Sequence, residues 1–276
     1  DARALRHGMP WVYADDLVTD RRTKALAPGT VALLEDAERT PLGLAAISPG
    51  SKIIARMLDR DPSAGIDQGW FEAKLGHALA LRNTLYDAPF YRLVHAEGDG
   101  LPGLIIDRFG DTCVLQPNAA WLEVRLTALT AALHAVTGVT NIQKSASGRT
   151  RTLEGLDAES GPLLGTPPAR VEVPMNGATY IADLENGQKT GLFFDQRPNH
   201  AFAARFAKDA RVLDVFSHVG GFALAALAAG AEHALAIDGS APALALAEQG
   251  AAASGVTARF TTRKSAAFAA LDALQH

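Results

Sequence analysis

The rhythm of apolar and polar positions changes twice along the chain. Up to about residue 70 the apolar positions come in short runs: 11-WVYADDLV, 30-TVALLED, 42-LGLAAIS and 52-KIIARMLD. The turns 27-APGT and 48-SPGS separate them, which predicts a small β-rich unit. A helix is predicted from about 70 to 86, where Phe71, Leu75 and Leu79 recur at a helical interval. The runs 91-YRLVHAEG, 103-GLIIDRFG and 112-TCVLQPN then predict a meander of strands with turns at 98-GDG and 109-FGD. An amphipathic helix follows at 121-WLEVRLTALTAALHAVTG, closed by Gly138. Strands are expected at 139-VTNIQKS and 170-RVEVPMNG, the second turning at 176-NG into 178-ATYIADL. Between them, 155-GLDAESGPLLGTPP reads as a polar loop. From about 195 the pattern becomes helix 198-PNHAFAARFA, strand 211-RVLDVF, helix 220-GGFALAALAAG, strand 233-HALAID, helix 241-APALALAEQGAAAS and a weaker strand 256-VTARFTT. That alternation predicts βαβ units on a parallel sheet. The expected domains are 1–72, 73–187 and 188–276.

The hydrophobic fraction of 48% and charged fraction of 20% are those of a folded, soluble protein. No apolar run reaches the ~20 residues that span a bilayer, so no membrane partner is expected. A single cysteine, Cys113, rules out an intrachain disulfide and suits the cytoplasm. The net charge of −4 makes the whole chain no polycation, though a nucleic-acid binder can still carry a local basic surface. The three cations of 144-KSASGRTR-151 read as a solvated loop. The histidines show no ligand spacing with cysteine or carboxylate pairs, so no metal site is expected. A sheet of two or three strands does not cover both faces of a core, which predicts that these residues are part of a longer chain.

The candidate chemistry lies in 214-DVFSHVGGF. A strand, a tight turn and a helix together place a ligand at the helix N-terminus, beyond the strand's carboxyl end. Asp214 ends the first strand and Asp238 ends the second, where a carboxylate accepts hydrogen bonds from ribose hydroxyls. The turn lacks G-x-G-x-x-G, because Ser217 and His218 stand where a pyrophosphate loop wants glycine. The charge of Asp214 repels phosphate and attracts a sulfonium cation, favouring S-adenosylmethionine over NAD. His218, inside the turn, is expected to pack or hydrogen-bond. Asp195 is expected to cap the helix that starts near Pro198.

The run 211-RVLDVFSHVGGFALAALAAGAEHALAIDGSAPALALAEQ resembles motifs I and II of class I S-adenosylmethionine-dependent methyltransferases. Upstream, 186-NGQKTGLFFDQRPNH resembles the G-x-K-T-G-x-F-x-D-Q-R signature of the large-subunit ribosomal RNA cytosine-5 methyltransferases. The stretch 6-RHGMPWVYADDL resembles the start of that family's N-terminal PUA domain, and 98-GDGLPGLIIDRFGD its central domain. The resemblance implies an α/β chain: a PUA-like β-barrel, a central α+β domain and an incomplete class I methyltransferase Rossmann-like domain. It implies that Asp214, Ser217 and Gly220 line the methionine end of S-adenosylmethionine and that Asp238 holds the ribose. Lys189, Thr190, Phe194, Gln196 and Arg197 would build the pocket, with Arg197 on the methionine carboxylate. Ala266 stands where related methyltransferases often place an acidic residue for the adenine amine.

The implied reaction is methyl transfer to carbon 5 of a cytosine in 23S ribosomal RNA. In that family a cysteine thiolate first attacks carbon 6. The nucleophile and its Asp-Pro-Pro loop are expected beyond these residues, and Cys113 reads as a structural thiol. Arg3, Arg6, Arg21, Arg22 and Lys24 are candidate RNA phosphate contacts, and a homodimer is a further expectation. Two rival readings stay open: a nicotinamide-dependent oxidoreductase using the same turn, and a non-catalytic RNA-binding protein.

Overall fold

The computed structural model describes residues 2–187 and 190–274, with backbone alone at 149–150. The chain divides into two units, Asp1–Pro167 and Pro168–His276.

Unit 1 begins with α1 (Ala2–Arg6), β1 (Trp11–Tyr13), α2 (Arg21–Lys24), β2 (Val31–Glu35), β3 (Pro41–Ile47) and β4 (Ile53–Asp59). The strands form an antiparallel sheet in the order β1-β4-β3-β2. Its register breaks at Val12/Tyr13, Leu34/Glu35 and Leu44/Ala45, and such breaks bend a sheet. Alternation along β3 gives it two buried faces. Ala45 and Ile47 join Val12, Leu34 and Ile54 in one core. Ala46 joins Phe71, Leu75 and Trp121 in another. The boundary expected at 72/73 lies within unit 1, where β3 contributes to both cores.

Next come α3 (Gln68–Leu85), β5 (Phe90–His95), β6 (Leu104–Phe109), β7 (Thr112–Pro117), α4 (Ala120–Glu123), α5 (Leu126–Thr137), β8 (Asn141–Lys144), α6 (Arg149–Leu153) and β9 (Gly161–Leu164). Asp67 caps α3 by accepting from the Trp70 N–H at 3.0 Å. The second sheet runs β5-β6-β7-β8-β9, antiparallel except for the β7/β8 pair. The single helix predicted over 121–137 is broken at Val124–Arg125. Arg125 leaves helical geometry, and its guanidinium donates to the carbonyls of Gly29 and Ile66, each at 3.3 Å. The predicted loop at 155–168 contains β9, an edge strand, and an edge is where Pro162 costs least.

Two of the three cations read as a solvated loop, Lys144 and Arg151, are buried instead, and the Arg149 side chain lies outside the described residues. Arg151, 1% exposed, donates to the Pro117 carbonyl and to Glu123 and approaches Asp157 at 3.4 Å. Lys144 reaches Glu123 at 3.4 Å. One residue past α6, Glu154 accepts from Arg56 of β4 at 2.8 Å and from Ser48 at 2.7 Å. The α6 segment is thus tied to the first sheet by the Glu154–Arg56 ion pair and to the second by the bond from Arg151 to the Pro117 carbonyl of β7.

Unit 2 holds β10 (Arg170–Met175), β11 (Ala178–Asp183), α7 (Arg197–Ala204), β12 (Arg211–Val215), α8 (Gly221–Ala228), β13 (His233–Asp238), α9 (Ala241–Ala253), β14 (Phe260–Lys264) and α10 (Ala267–Leu274). The predicted hairpin forms, with Asn176 (φ 53°) and Gly177 (φ 78°) both left-handed, as a two-residue type I′ turn requires. Strands β12-β13-β14 make a parallel sheet. The boundary expected at 187/188 falls inside this unit. Strand β11 packs on α8 and α9, and the Ser254 hydroxyl, just past α9, accepts from Thr179 N–H at 2.8 Å and donates to its carbonyl at 3.1 Å. Among the described residues, no helix is long and apolar enough to cross a membrane.

Candidate functional site

The parallel strands β12 and β13 set two carboxylates at their carboxyl ends, and a strained turn joins β12 to α8. In that turn Phe216 (φ 62°), His218 (φ 50°) and Gly220 (φ 79°) are all left-handed. Two of them carry a Cβ, and such conformations persist only where surrounding contacts over-determine them. The contacts are present. Asp238 accepts the His218 N–H at 2.9 Å and the Ser240 N–H at 2.8 Å. Ser217 N–H donates to the Ile237 carbonyl at 3.1 Å, and the Ser217 carbonyl accepts from Gly220 N–H at 2.8 Å. The first turn of α8 has free N–H groups, and Asp214 takes that of Ala223 at 3.0 Å. Burial raises the Asp214 pKa to about 6, partly countered by the N–H groups of Ala223 and Phe222.

Close backbone approach explains Gly221. A Cβ there would stand 2.5 Å from the His200 ring, while the Gly221 carbonyl accepts from the Tyr180 hydroxyl at 3.1 Å. Gly221→Ala is expected to lower the stability of unit 2 by about 1–3 kcal/mol, the range for overpacking a filled site. Urea titration followed by circular dichroism measures it, and an unchanged midpoint would show that His200 yields freely.

The upstream signature meets this turn. The rings of Phe193 and His218 lie 4.8 Å apart. Burial lowers the His218 pKa, so the ring packs neutral, as its sequence position predicted. Phe194 and Thr190 are buried, and the Thr190 hydroxyl donates to the Leu192 carbonyl at 3.3 Å. Gly191, at φ 94°, lies so close to Asp183 that a Cβ would meet its carbonyl oxygen at 2.4 Å. Gln196 accepts from Asn199 at 3.0 Å, and the Arg197 carbonyl accepts from Asn176 at 3.0 Å. Lys189 lies outside the described residues. The predicted Asp195 cap does not form. The N-cap position of α7 is Gln196, without a side-chain capping bond, because a 3-10 turn over Phe194–Gln196 runs straight into the helix.

Two buried side-chain atoms among the described residues have no hydrogen-bond partner: Ser217 Oγ and His200 Nδ1. A buried, unsatisfied hydroxyl is costly and calls for an occupant or a role. Sequence reasoning had named Ser217. It missed His200 and Tyr180, whose roles depend on contacts across 21 and 41 residues that local patterns do not carry. Ser265, just past β14, donates its N–H to the Asp238 carbonyl at 3.1 Å, and Ala266 follows it in the chain.

The candidate RNA contacts lie on α1 and α2. Arg6 pairs with Asp36, and Arg22 is 3.6 Å from Asp20, which caps α2. Arg3, Arg21 and Lys24 are exposed. Cys113 is fully buried, and burial pushes its thiol up to about 12, which leaves no reactive thiolate at neutral pH. Among the described residues no group of three His, Cys, Asp or Glu side chains converges.

Comparison with known proteins bears on both units. Residues 1–60 match the model of a PUA-like domain, and residues 120–255 match that of an S-adenosylmethionine-dependent methyltransferase. The chain is 37% identical over 256 residues to "Ribosomal RNA large subunit methyltransferase I" of Alteromonas mediterranea, covering 92% of this chain and 64% of that protein. Its identity to the Cronobacter sakazakii protein of the same name is 36% over 251 residues, covering 90% and 63%. The chain thus spans under two thirds of the length of these relatives. A solved Streptococcus mutans chain assigned to SAM-dependent methyltransferases superposes with a TM-score of 0.84 at 21% identity, covering 99% of this chain and 71% of that one. A methyltransferase-assigned chain in complex with SAH does so with the same TM-score at 20% identity, covering 99% and 70%. The fold is therefore mixed α/β, with a PUA-like N-terminal domain followed by the fold of S-adenosylmethionine-dependent methyltransferases.

Proposed function

We propose that this chain belongs to an S-adenosylmethionine-dependent methyltransferase acting on large-subunit ribosomal RNA in the cytoplasm, at carbon 5 of a cytosine in 23S RNA. The observation that carries the reading is Ser217 Oγ, buried and unpartnered in a left-handed turn between the carboxylates of Asp214 and Asp238. The names of the relatives supply the RNA. When bound, S-adenosylmethionine supplies an electrophilic methyl group on a sulfonium.

The residues present fit that group. Asp214 offers negative charge toward a cation, Ser217 offers an unfilled hydroxyl, and Gly220 keeps the turn bare. Asp238 keeps acceptor capacity for ribose hydroxyls, because each carboxylate oxygen has two lone pairs and accepts one N–H here. Arg197, Gln196, Thr190 and Phe194 stand on the loop whose Phe193 ring meets His218. Lys189 is assigned to the pocket on the signature alone. The buried thiol of Cys113 is unsuited to attack a base, so the proposed cytosine chemistry draws its nucleophile from outside these residues. Arg21, Arg22 and Lys24 are proposed phosphate contacts, with Arg3 and Arg6 beside them.

Calorimetric titration with S-adenosylhomocysteine tests the reading. Binding is expected, and Asp238→Ala is expected to weaken it by about tenfold or more, since hydrogen bonds to a charged acceptor contribute about 1.5–3 kcal/mol. Binding of NAD in place of S-adenosylhomocysteine would transfer the site to hydride chemistry.

A further inference from the structure

Unit 1 holds a second recess, away from the glycine turn. It is a cleft of about 340 Å³ between the α1–β1 connection, the end of β4, the face of α3 and the 3-10 turn at 96–99. That volume lies within the range of small-ligand sites. Its apolar lining includes Met9, Met57 and Pro102. Its charged lining is Arg60 and Lys74 of one sign, Asp59 and Glu97 of the other.

The two carboxylates are held in place by indoles. Trp70 Nε1 donates to Asp59 at 2.7 Å, and Trp11 Nε1 donates to Glu97 Oε1 at 2.8 Å. Asp59 is largely used up, because it also accepts the Asp61 N–H at 3.0 Å and has Lys74 at 4.0 Å. Burial raises its pKa, but the indole, that N–H and Lys74 together outweigh burial and keep it ionised. Glu97 differs. One oxygen carries the Trp11 bond, and the other has capacity to accept from a ligand. Arg60 is exposed at the rim. Lys74 lies 5.2 Å from the Trp70 ring centre, which holds the ammonium on the cleft side of α3.

A ligand that satisfies this lining has three parts. It carries an anion for two cations, a flat apolar ring for the methionine sulfurs, and an N–H donor for a carboxylate that only accepts. A nucleotide whose base bears an exocyclic amine has all three. We propose that this cleft binds one unstacked, amine-bearing nucleotide of single-stranded RNA, its phosphate on Arg60 and Lys74 and its amine on Glu97. The proposal rests on the RNA part of the reading above and not on methyl transfer.

Trp11 and Trp70 flank the cleft, so tryptophan quenching reports occupancy. The chain is titrated with CMP, AMP and UMP, and with a short single-stranded oligocytidylate. Quenching is expected with CMP, AMP and the oligomer, and less with UMP, whose base offers no amine. Arg60→Ala is expected to weaken binding about tenfold, the scale of one charge-assisted phosphate contact. Glu97→Gln, which keeps an acceptor for Trp11, is expected to erase the preference for CMP over UMP. Circular dichroism checks that both variants fold. No quenching, or quenching indifferent to both substitutions, overturns the proposal. Response to mononucleotides without response to the oligomer overturns it too, and assigns the cleft to a free nucleotide. S-adenosylhomocysteine calorimetry on the same samples separates the two readings. Cofactor binding without quenching removes only the cleft, and quenching without cofactor binding removes only the methyl-transfer reading.

Discussion

Asp214→Asn is expected to make the ligand-free chain more stable at pH 7 while weakening its hold on S-adenosylmethionine. Burial lifts this carboxyl from its ordinary 3.8 to about 6. Between those values the folded state binds a proton that the unfolded state has released. The stabilisation that the proton brings is complete below the unfolded value, and it is lost as pH rises through about 6. At neutral pH the ionised group therefore costs about 3 kcal/mol, which asparagine removes. The benefit should shrink as pH falls toward 4, since the aspartate is then protonated in the fold. The same logic governs ligands. A sulfonium cation favours the ionised form, so affinity for S-adenosylmethionine should rise with pH through about 6. S-adenosylhomocysteine, whose sulfur is uncharged, should show a flatter profile, and the asparagine variant should flatten both. Denaturation midpoints at pH 4.5 and 7 and calorimetry across that range measure all three effects. A less stable variant at pH 7 would mean that the Ala223 and Phe222 N–H groups, and not desolvation, dominate the energetics of Asp214.

Glu154→Ala is expected to cost unit 1 about 3–5 kcal/mol, the range for stranding one partner of a buried ion pair. It leaves Arg56, whose side chain is 7% exposed, without its carboxylate, and it removes the acceptor of Ser48. Replacing Arg56 and Glu154 together by leucine should cost far less, because a buried pair repays its own desolvation poorly while a lone buried charge does not repay it at all. All three tryptophans lie in unit 1, so fluorescence-detected guanidinium unfolding isolates this unit's transition. Equal losses in the single and double variants would mean that the pair contributes net stability.

What the sequence makes legible follows how local the responsible physics is. The Asn176–Gly177 turn, the β12–α8–β13–α9 alternation and the two strand-end carboxylates are set by neighbours in the chain, and the structure has them where their patterns predict. Strand β9 is different. Its four residues, Gly161 to Leu164, show no apolar alternation because an edge strand with a proline needs little, so only its pairing with β8 defines it. The break at Val124–Arg125 carries no glycine or proline. It is set by the carbonyls of Gly29 and Ile66, 96 and 59 residues away. Lys144 and Arg151 look like solvent cations until Glu123, 21 and 28 residues earlier, is brought beside them. In the candidate site, the spacing of strand, turn and helix pointed to Asp214 and Asp238, whereas Ser217 was named through the family resemblance. His200 and Tyr180 act on Gly221 from elsewhere in the fold and leave no trace in spacing.

The hairpin of β10 and β11 has a consequence for how this protein can be taken apart. Strand β11 lies on α8 and α9, and Tyr180 reaches the glycine turn, so the natural seam is Pro167–Pro168 and not the start of the GQKTG signature. A chimera joined at 187/188 would graft α8 and α9 without the strand that covers them. One joined at 167/168 would carry β10 and β11 with the helices they cover, so unit 2 would enter a new context with its own packing intact.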